Sequence, residues 1–186
     1  DAADVLILQQ EVAASIADEI RLQLSAADRA TLARSRTVVP AAHDAYLRAR
    51  YHLNKGAAEE LTRSIDDFNE AIRLDPSDAP SYAGLAQAYI ALTDFYERPT
   101  VMMPKARAAA EQALALDNRS AEAHMAFGAV RFLYDWNWSE AESELKQALA
   151  LNPASADAHV WYAIFLAQMG RFEPAFAEIS RASALD

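Results

Sequence analysis

One spacing constrains this chain more than anything in its composition. A small residue followed three positions later by leucine closes four segments: Ala71/Leu74, Ala113/Leu116, Ala148/Leu151 and Ala182/Leu185. Both markers step by the same intervals, 42, 35 and 34 residues. Self-similarity at that interval is the signature of stacked supersecondary units. The segments themselves read alike: "FNEAIRLDP" from Phe68, "AEQALALDN" from Ala110, "ELKQALALNP" from Glu144 and "EISRASALD" from Glu178.

The half of each period before these segments also recurs. "SYAGLAQAYIAL", "AHMAFGAVRFLY" and "AHVWYAIFLAQ" place an aromatic or histidine first, a large apolar residue three later and a small one after it. These are Tyr82/Leu85/Ala86, His124/Phe127/Gly128 and His159/Tyr162/Ala163. Apolar residues at i, i+3, i+4 and i+7 specify an amphipathic helix. Each period therefore holds two helices joined by a turn. Small residues let one helix approach its neighbour, and large ones fill the space beside them. Pro76 and Pro153 follow helix ends, Pro104 and Pro174 sit near helix starts, and Gly170 suits a C-cap. Ser139 with Glu142 has capping-box spacing.

This pattern resembles the tetratricopeptide repeat (TPR), a 34-residue helix–turn–helix unit. The resemblance covers about 43–186 and rests on four units. His124, Phe127, Gly128, Arg131, Ala141, Leu145, Ala148 and Pro153 carry it in the third. His159, Tyr162, Ala163, Leu166, Ala175, Ile179 and Ala182 carry it in the fourth. The second has Tyr82, Leu85, Ala86, Tyr89, Ala106, Ala110 and Ala113. The first is looser, with Tyr46, Ala49, Leu53, Ser64, Phe68, Ala71 and Pro76, and with Arg50 where a small residue is usual. The second unit carries an insertion near 96–103, expected in a loop, and the third has one extra residue in "DWNW". The resemblance implies an all-α chain. It is an α-α superhelix (TPR solenoid) of about four helix-turn-helix repeats, at about 43–78, 79–120, 121–155 and 156–186.

Residues 1–42 precede the array. Val5, Leu8, Val12, Ile16, Ile20 and Leu24 make one apolar stripe, with Asp4, Glu11, Asp18 and Glu19 solvated, so an amphipathic N-terminal helix over 2–24 is expected. A short second helix from Ser25 and a linker over 34–40 follow. The stripe either caps repeat one, as solenoids require, or pairs with another chain. The N-terminus lacks an initiating Met and a basic n-region, and reads as the start of a fragment or mature chain rather than a signal peptide. "LQQEVAASIADEIRLQLS", "AYLRARYHLNK" and "FLYDWNWSEAE" further resemble TPR regions of bacterial signalling proteins. There, such repeats follow a winged-helix, nucleotide cyclase or kinase domain.

Composition limits the chemistry. With 17 basic and 27 acidic side chains the formal charge is −10, which repels phosphate backbones and anionic lipid, so no nucleic-acid partner is expected for this segment. No apolar run reaches the roughly 20 residues of a membrane span, so no membrane insertion by this segment is expected. Without cysteine there is no thiolate site. A cytoplasmic setting is expected, or a periplasmic one if a transmembrane segment lies upstream. Four glycines leave no phosphate loop. Glu59, Glu60, Asp66 and Asp67 are a solvated face more readily than paired acid–base carboxylates. His43, His52, His124 and His159 call for no metal, because His124 and His159 are repeat equivalents without a carboxylate-rich cluster. Trp136 and Trp138 are expected to pack between helices, with an exposed recognition element as the alternative. No catalytic residue, cofactor or metal is expected.

The resemblance places a partner groove along the first helix of each repeat. Its candidates are Leu47, Arg48, Tyr51, Gln87, Ile90, Met125, Phe132, Leu133, Val160, Trp161, Ile164 and Gln168, beside the small Ala83 and Ala129. The Lys and Asn of a TPR carboxylate clamp are missing there. Instead Met125, Phe132, Leu133, Val160, Trp161 and Ile164 form an apolar strip suited to an amphipathic helix or apolar peptide. Either the strip lies open or superhelical packing fills part of it. Self-association is the second expectation, through Val5, Leu8, Val12 and Ile16, or through the last helix with Phe172, Phe176, Ile179 and Leu185. The implied partner is a protein or peptide, with a homodimer as the alternative.

Overall fold

The computed structural model describes Val12, residues 39–94 and residues 96–185. Among these residues eight helices and no strand are found. We number them α1 (Pro40–Lys55), α2 (Ala58–Leu74), α3 (Ala79–Thr93), α4 (Pro99–Leu116), α5 (Ala121–Leu133), α6 (Trp138–Leu151), α7 (Ala156–Gln168) and α8 (Phe172–Leu185). The expected stripe at Val5, Leu8 and Ile16 lies outside the described residues. Val12 alone is described, helical and 48% exposed.

The helices pair as α1/α2, α3/α4, α5/α6 and α7/α8. Each second helix also packs on the first helix of the next pair, and successive first helices (α1, α3, α5, α7) touch one another. That connectivity puts the first helices in an inner layer and the second helices outside it. The array is an all-α solenoid of four helix–turn–helix units, as the period requires.

Turns between units are built three times from one device. Asp75, Asp117 and Asn152 close the helices with near-identical backbones (φ −140, −144 and −137°). Each side chain then accepts the N–H two residues on: Ser77 at 3.0 Å, Arg119 at 2.9 Å and Ala154 at 3.1 Å. Three residues beyond each, Asp78, Ser120 and Ser155 cap the next helix through the N–H of Ser81, Ala123 and Ala158. Short polar side chains do this because they reach back to orphan helix-end amides.

Close approaches occur where the small residues predict them, with one shift. Ala49 rather than Arg50 takes the small position of the first unit. It is fully buried, and its carbonyl accepts from Ser64 Oγ at 2.9 Å. Arg50 is half-buried and reaches to Glu122 Oε1 of α5 at 3.4 Å. A Cβ at Gly128 would meet Leu145 Cγ at 3.0 Å, and one at Gly84 would run into the ring of Phe68. Gly170, at φ +72°, terminates α7, and Gly56, at φ +69°, terminates α1.

Four local expectations need correction. The insertion of the second unit is not all loop: α4 starts at Pro99, and Pro104 lies inside it as the sixth residue. The cap of α6 is Asn137, two residues before Ser139; it accepts the Glu140 N–H at 3.3 Å. Trp136 and Trp138 do not pack between helices; they are 73% and 48% exposed. Trp136 carries the extra residue of its turn at φ +57°, a left-handed backbone that costs a bulky residue of order 1–3 kcal/mol. The adjacent Asp135 holds that turn, paired with Arg107 and with Arg131 (2.8 Å). Finally, α1 begins at Pro40, with Pro in the first helical position, three residues before the expected edge of the array.

Candidate functional site

Among the described residues the inner helices line a cleft of about 160 Å³. α1 contributes Leu53 and Asn54, and α3 contributes Gln87, Ile90, Ala91 and Asp94. Met125 and Ala126 of α5 form the floor, and Trp161 of α7 closes the far wall. All four units thus meet at one place. Spacing explains it: Gln87, Ile90, Ala91 and Asp94 lie at i, i+3, i+4 and i+7, one stripe of α3.

The lining is apolar apart from three groups. Asn54 is exposed at the rim. Gln87 Nε2 is shut off from solvent without a hydrogen-bond partner among the described residues. Asp94 is the one ionisable residue of the lining, and no cation pairs with it among the described residues. Burial pushes its carboxyl above the usual aspartate range. Asp94 also caps the C-terminal end of α3, where the helix dipole disfavours negative charge.

Four expected groove residues line this cleft: Gln87, Ile90, Met125 and Trp161. Others do not. Phe132 (8% exposed) belongs to the core, and Met125 and Ile90 (3% each) reach the cleft through only a small part of their surface. α5 touches α3, α4, α6 and α7, so few of its residues can reach solvent. Phe132 stands edge-on to Phe165, ring centroids 5.4 Å apart. Leu133, Ile164 and Gln168 are exposed. Leu47 and Tyr51 are exposed on α1, Tyr51 beneath the Lys55 ammonium at 4.4 Å. Arg48 turns to its own second helix and pairs with Asp67 Oδ1 at 3.2 Å. Val160 lies in a separate cleft with Ile179, between α7 and α8.

The terminal helix carries a further apolar face. Phe172, Phe176, Ile179 and Leu185 are 60%, 70%, 45% and 44% exposed.

Sequence reasoning missed what the histidines do. His124 Nδ1 meets Glu144 Oε2 at 2.5 Å while its Nε2 meets the Asn118 carbonyl at 3.0 Å. His159 repeats this with Glu178 at 2.6 Å and the Pro153 carbonyl at 3.0 Å. Each ring ties a first helix to its own second helix and to the turn before it. Both acceptors are oxygens, so both nitrogens are satisfied together when both carry a proton. The signal was available: Glu144 and Glu178 are 34 residues apart, in step with the period. No group of three or more potential metal ligands occurs among the described residues. Nor is any helix among them long and apolar enough to cross a membrane.

Electrostatics at the last junction run opposite to those at Asp94. Glu142 accepts from Lys146 Nζ at 2.8 Å, Arg171 at 2.9 Å and Tyr162 Oη at 3.2 Å. The Lys146 ammonium foremost, with Arg171, holds its carboxyl below the usual glutamate range.

Similarity to known proteins agrees with this architecture. Residues 137–186 match the family model of the tetratricopeptide repeat. No curated protein matches the chain in sequence. Among solved structures, a thermophilic TPR protein of Thermus thermophilus is similar at 26% identity and TM-score 0.64, over 76% of this chain and 72% of that one. Pseudomonas aeruginosa pilF is 20% identical with TM-score 0.56, over 78% of this chain and 61% of that one. The first TPR of Spaghetti (RPAP3), solved bound to an HSP90 peptide, is 20% identical with TM-score 0.54, over 70% and 94%. The described chain has the fold of a tetratricopeptide-repeat solenoid, and residues 137–186 carry the repeat's own sequence signature.

Proposed function

We propose that this chain is a non-catalytic protein-interaction module that takes a peptide or partner segment in the cleft of its inner layer. One observation carries the reading: among the described residues the first helices of all four units line the same partly apolar cleft, with Trp161 in its wall. Its 160 Å³ is close to an engineered apolar cavity of ~150 Å³ that accepts benzene, so one large side chain of a partner fits. The peptide held by the similar Spaghetti domain is consistent with this use of the fold. Leu47, Tyr51, Leu133, Ile164 and Gln168 are further exposed residues on the same inner helices. The resemblance of the N-terminal and turn segments supports a place as the interaction part of a larger, cytoplasmic bacterial signalling protein.

The test is display of random peptides against the full chain. Selected peptides should weaken at least tenfold on Asn54→Arg, which fills the rim from an exposed position, and on Trp161→Ala. Peptides indifferent to both changes would refute the cleft as the site.

A second reading, self-association, is favoured by α8. Phe68 and Leu145, the counterparts of Ile179 in α2 and α6, are fully buried under the following first helix, whereas Ile179 is 45% exposed. A second copy meeting this face would cover it. The reading predicts a mass that doubles across a hundredfold concentration range in sedimentation, and a monomer for Phe176→Ser. A monomer throughout removes it.

A further inference from the structure

The cleft also specifies the charge of its occupant, an inference that rests on the cleft being the binding site. We infer that the partner segment carries a cationic group, a Lys or Arg side chain, seated against Asp94, next to an apolar side chain packed on Ile90, Met125 and Trp161.

Three independent features converge on a cation. Asp94 is the sole charged residue of the lining, and no Arg, Lys or His among the described residues pairs with it. Asp44 of α1 and Asp157 of α7 also lack an ion-pair partner among the described residues, but both lie outside this cleft, while Glu122 is matched with Arg50, Asp67 with Arg48, and Glu60 with Lys55 and His52. Second, the carboxylate stands at the C-terminal end of α3, where the last carbonyls add negative potential that a cation relieves and an anion worsens. Third, Asp94 is exposed, so a cation reaches it from solvent, while partial desolvation of its carboxyl alone raises its pKa. A nearby opposite charge favours the ionised form and turns that cost into attraction. The net charge of −10 steers basic segments toward the chain at long range.

The polar and apolar parts fix the rest of the ligand. Gln87 Nε2 has no partner among the described residues. Turned toward the cleft, its amide donates to a ligand backbone carbonyl, which recovers the missing hydrogen bond. The apolar wall of Ile90, Met125 and Trp161 takes one aliphatic or aromatic side chain. An acidic segment is disfavoured, since its carboxylate would face Asp94 with nothing to offset the repulsion.

The test is a double-mutant cycle with displayed peptides. The chain and its Asp94→Asn variant are each titrated with a selected peptide and with the same peptide carrying norleucine for its Lys or Arg. The expected result is enrichment of a basic residue near an apolar one. Either single change should weaken binding at least fivefold, with little further loss when both are made. A basic peptide drawn only by the general negative charge would weaken on norleucine substitution but not on Asp94→Asn; that outcome overturns the inference. So does selection of neutral or acidic peptides that Asn54→Arg still displaces, which leaves the cleft reading standing. Selection of no peptide sensitive to Asn54→Arg removes the cleft reading and the inference with it.

Discussion

The first and the last outer helices, α2 and α8, occupy the same place in their repeats and live in different surroundings. Phe68 of α2 is fully buried beneath α3, with Gly84 making room for its ring. Its counterpart in α8, Ile179, is 45% exposed, and Phe176 beside it is 70% exposed. Nothing in the local pattern separates the two helices; both are amphipathic and of similar length. The difference is the neighbour. In a solenoid a residue's burial is a property of the next unit along.

That comparison can be broken most severely at Phe68. Phe68→Ala should cost about 3–5 kcal/mol, because the ring fills a site that cannot collapse. Ile179→Ala should cost about 1 kcal/mol or less, since half of its surface is already in water. Urea unfolding of both variants measures the contrast, and equal losses would show that α8 is covered in solution. Next comes Gly84→Ala, expected to destabilise by about 1–3 kcal/mol, because the new methyl group must displace a fully buried ring. Gly128→Ala meets nothing nearer than the Leu145 side-chain branch, at 3.0 Å, and should cost less.

The histidine ties sharpen the comparison. His159→Leu leaves the Pro153 carbonyl without its partner and Glu178 with Arg181 alone, and should cost about 1–3 kcal/mol. Thermal unfolding of this variant beside His43→Leu, a position with no such tie among the described residues, checks it. The smallest effects are those of pH. Glu142, with a lowered carboxyl pKa, contributes stability that is present at neutral pH and is lost as pH falls through its depressed range. Asp94, with a raised one, has the opposite sign: its ionised form weighs against the fold, and stability is lost as pH rises through its raised range. Asp94→Asn should therefore raise the melting temperature slightly at pH 7, and Glu142→Gln should lower it.

Much of this was legible in the residues. The period of Ala71, Ala113, Ala148 and Ala182 gave the number of units, and the helix-ending Pro76 and Pro153 their limits. The groove was legible only in part. Helical spacing identifies the side of α5 that carries Met125 and Phe132, but not that α5 has a neighbour on nearly every side, which puts Phe132 in the core and leaves Met125 only a small part of its surface in the cleft. The same limit applies to Arg48, which has a pairing partner in Asp67 that only the folded pair of helices supplies. Trp136 failed for a different reason. Large aromatics are ordinarily buried for their area, but the extra residue of its turn puts the backbone in a left-handed conformation and turns the ring outward. Asp94 was not singled out at all, since one aspartate in an acidic chain carries no periodic signal. It becomes a candidate once α3 places it in a cleft without a counter-charge.

The most direct test of the central claim is hydrogen exchange on the full chain with and without a cleft-selected peptide. Binding in the inner layer predicts slowed exchange at the end of α3, around Ile90–Asp94, and in the first turns of α5, with α8 unchanged. Protection confined to Phe172–Leu185 would contradict it and make the exposed face of α8 the site of interaction.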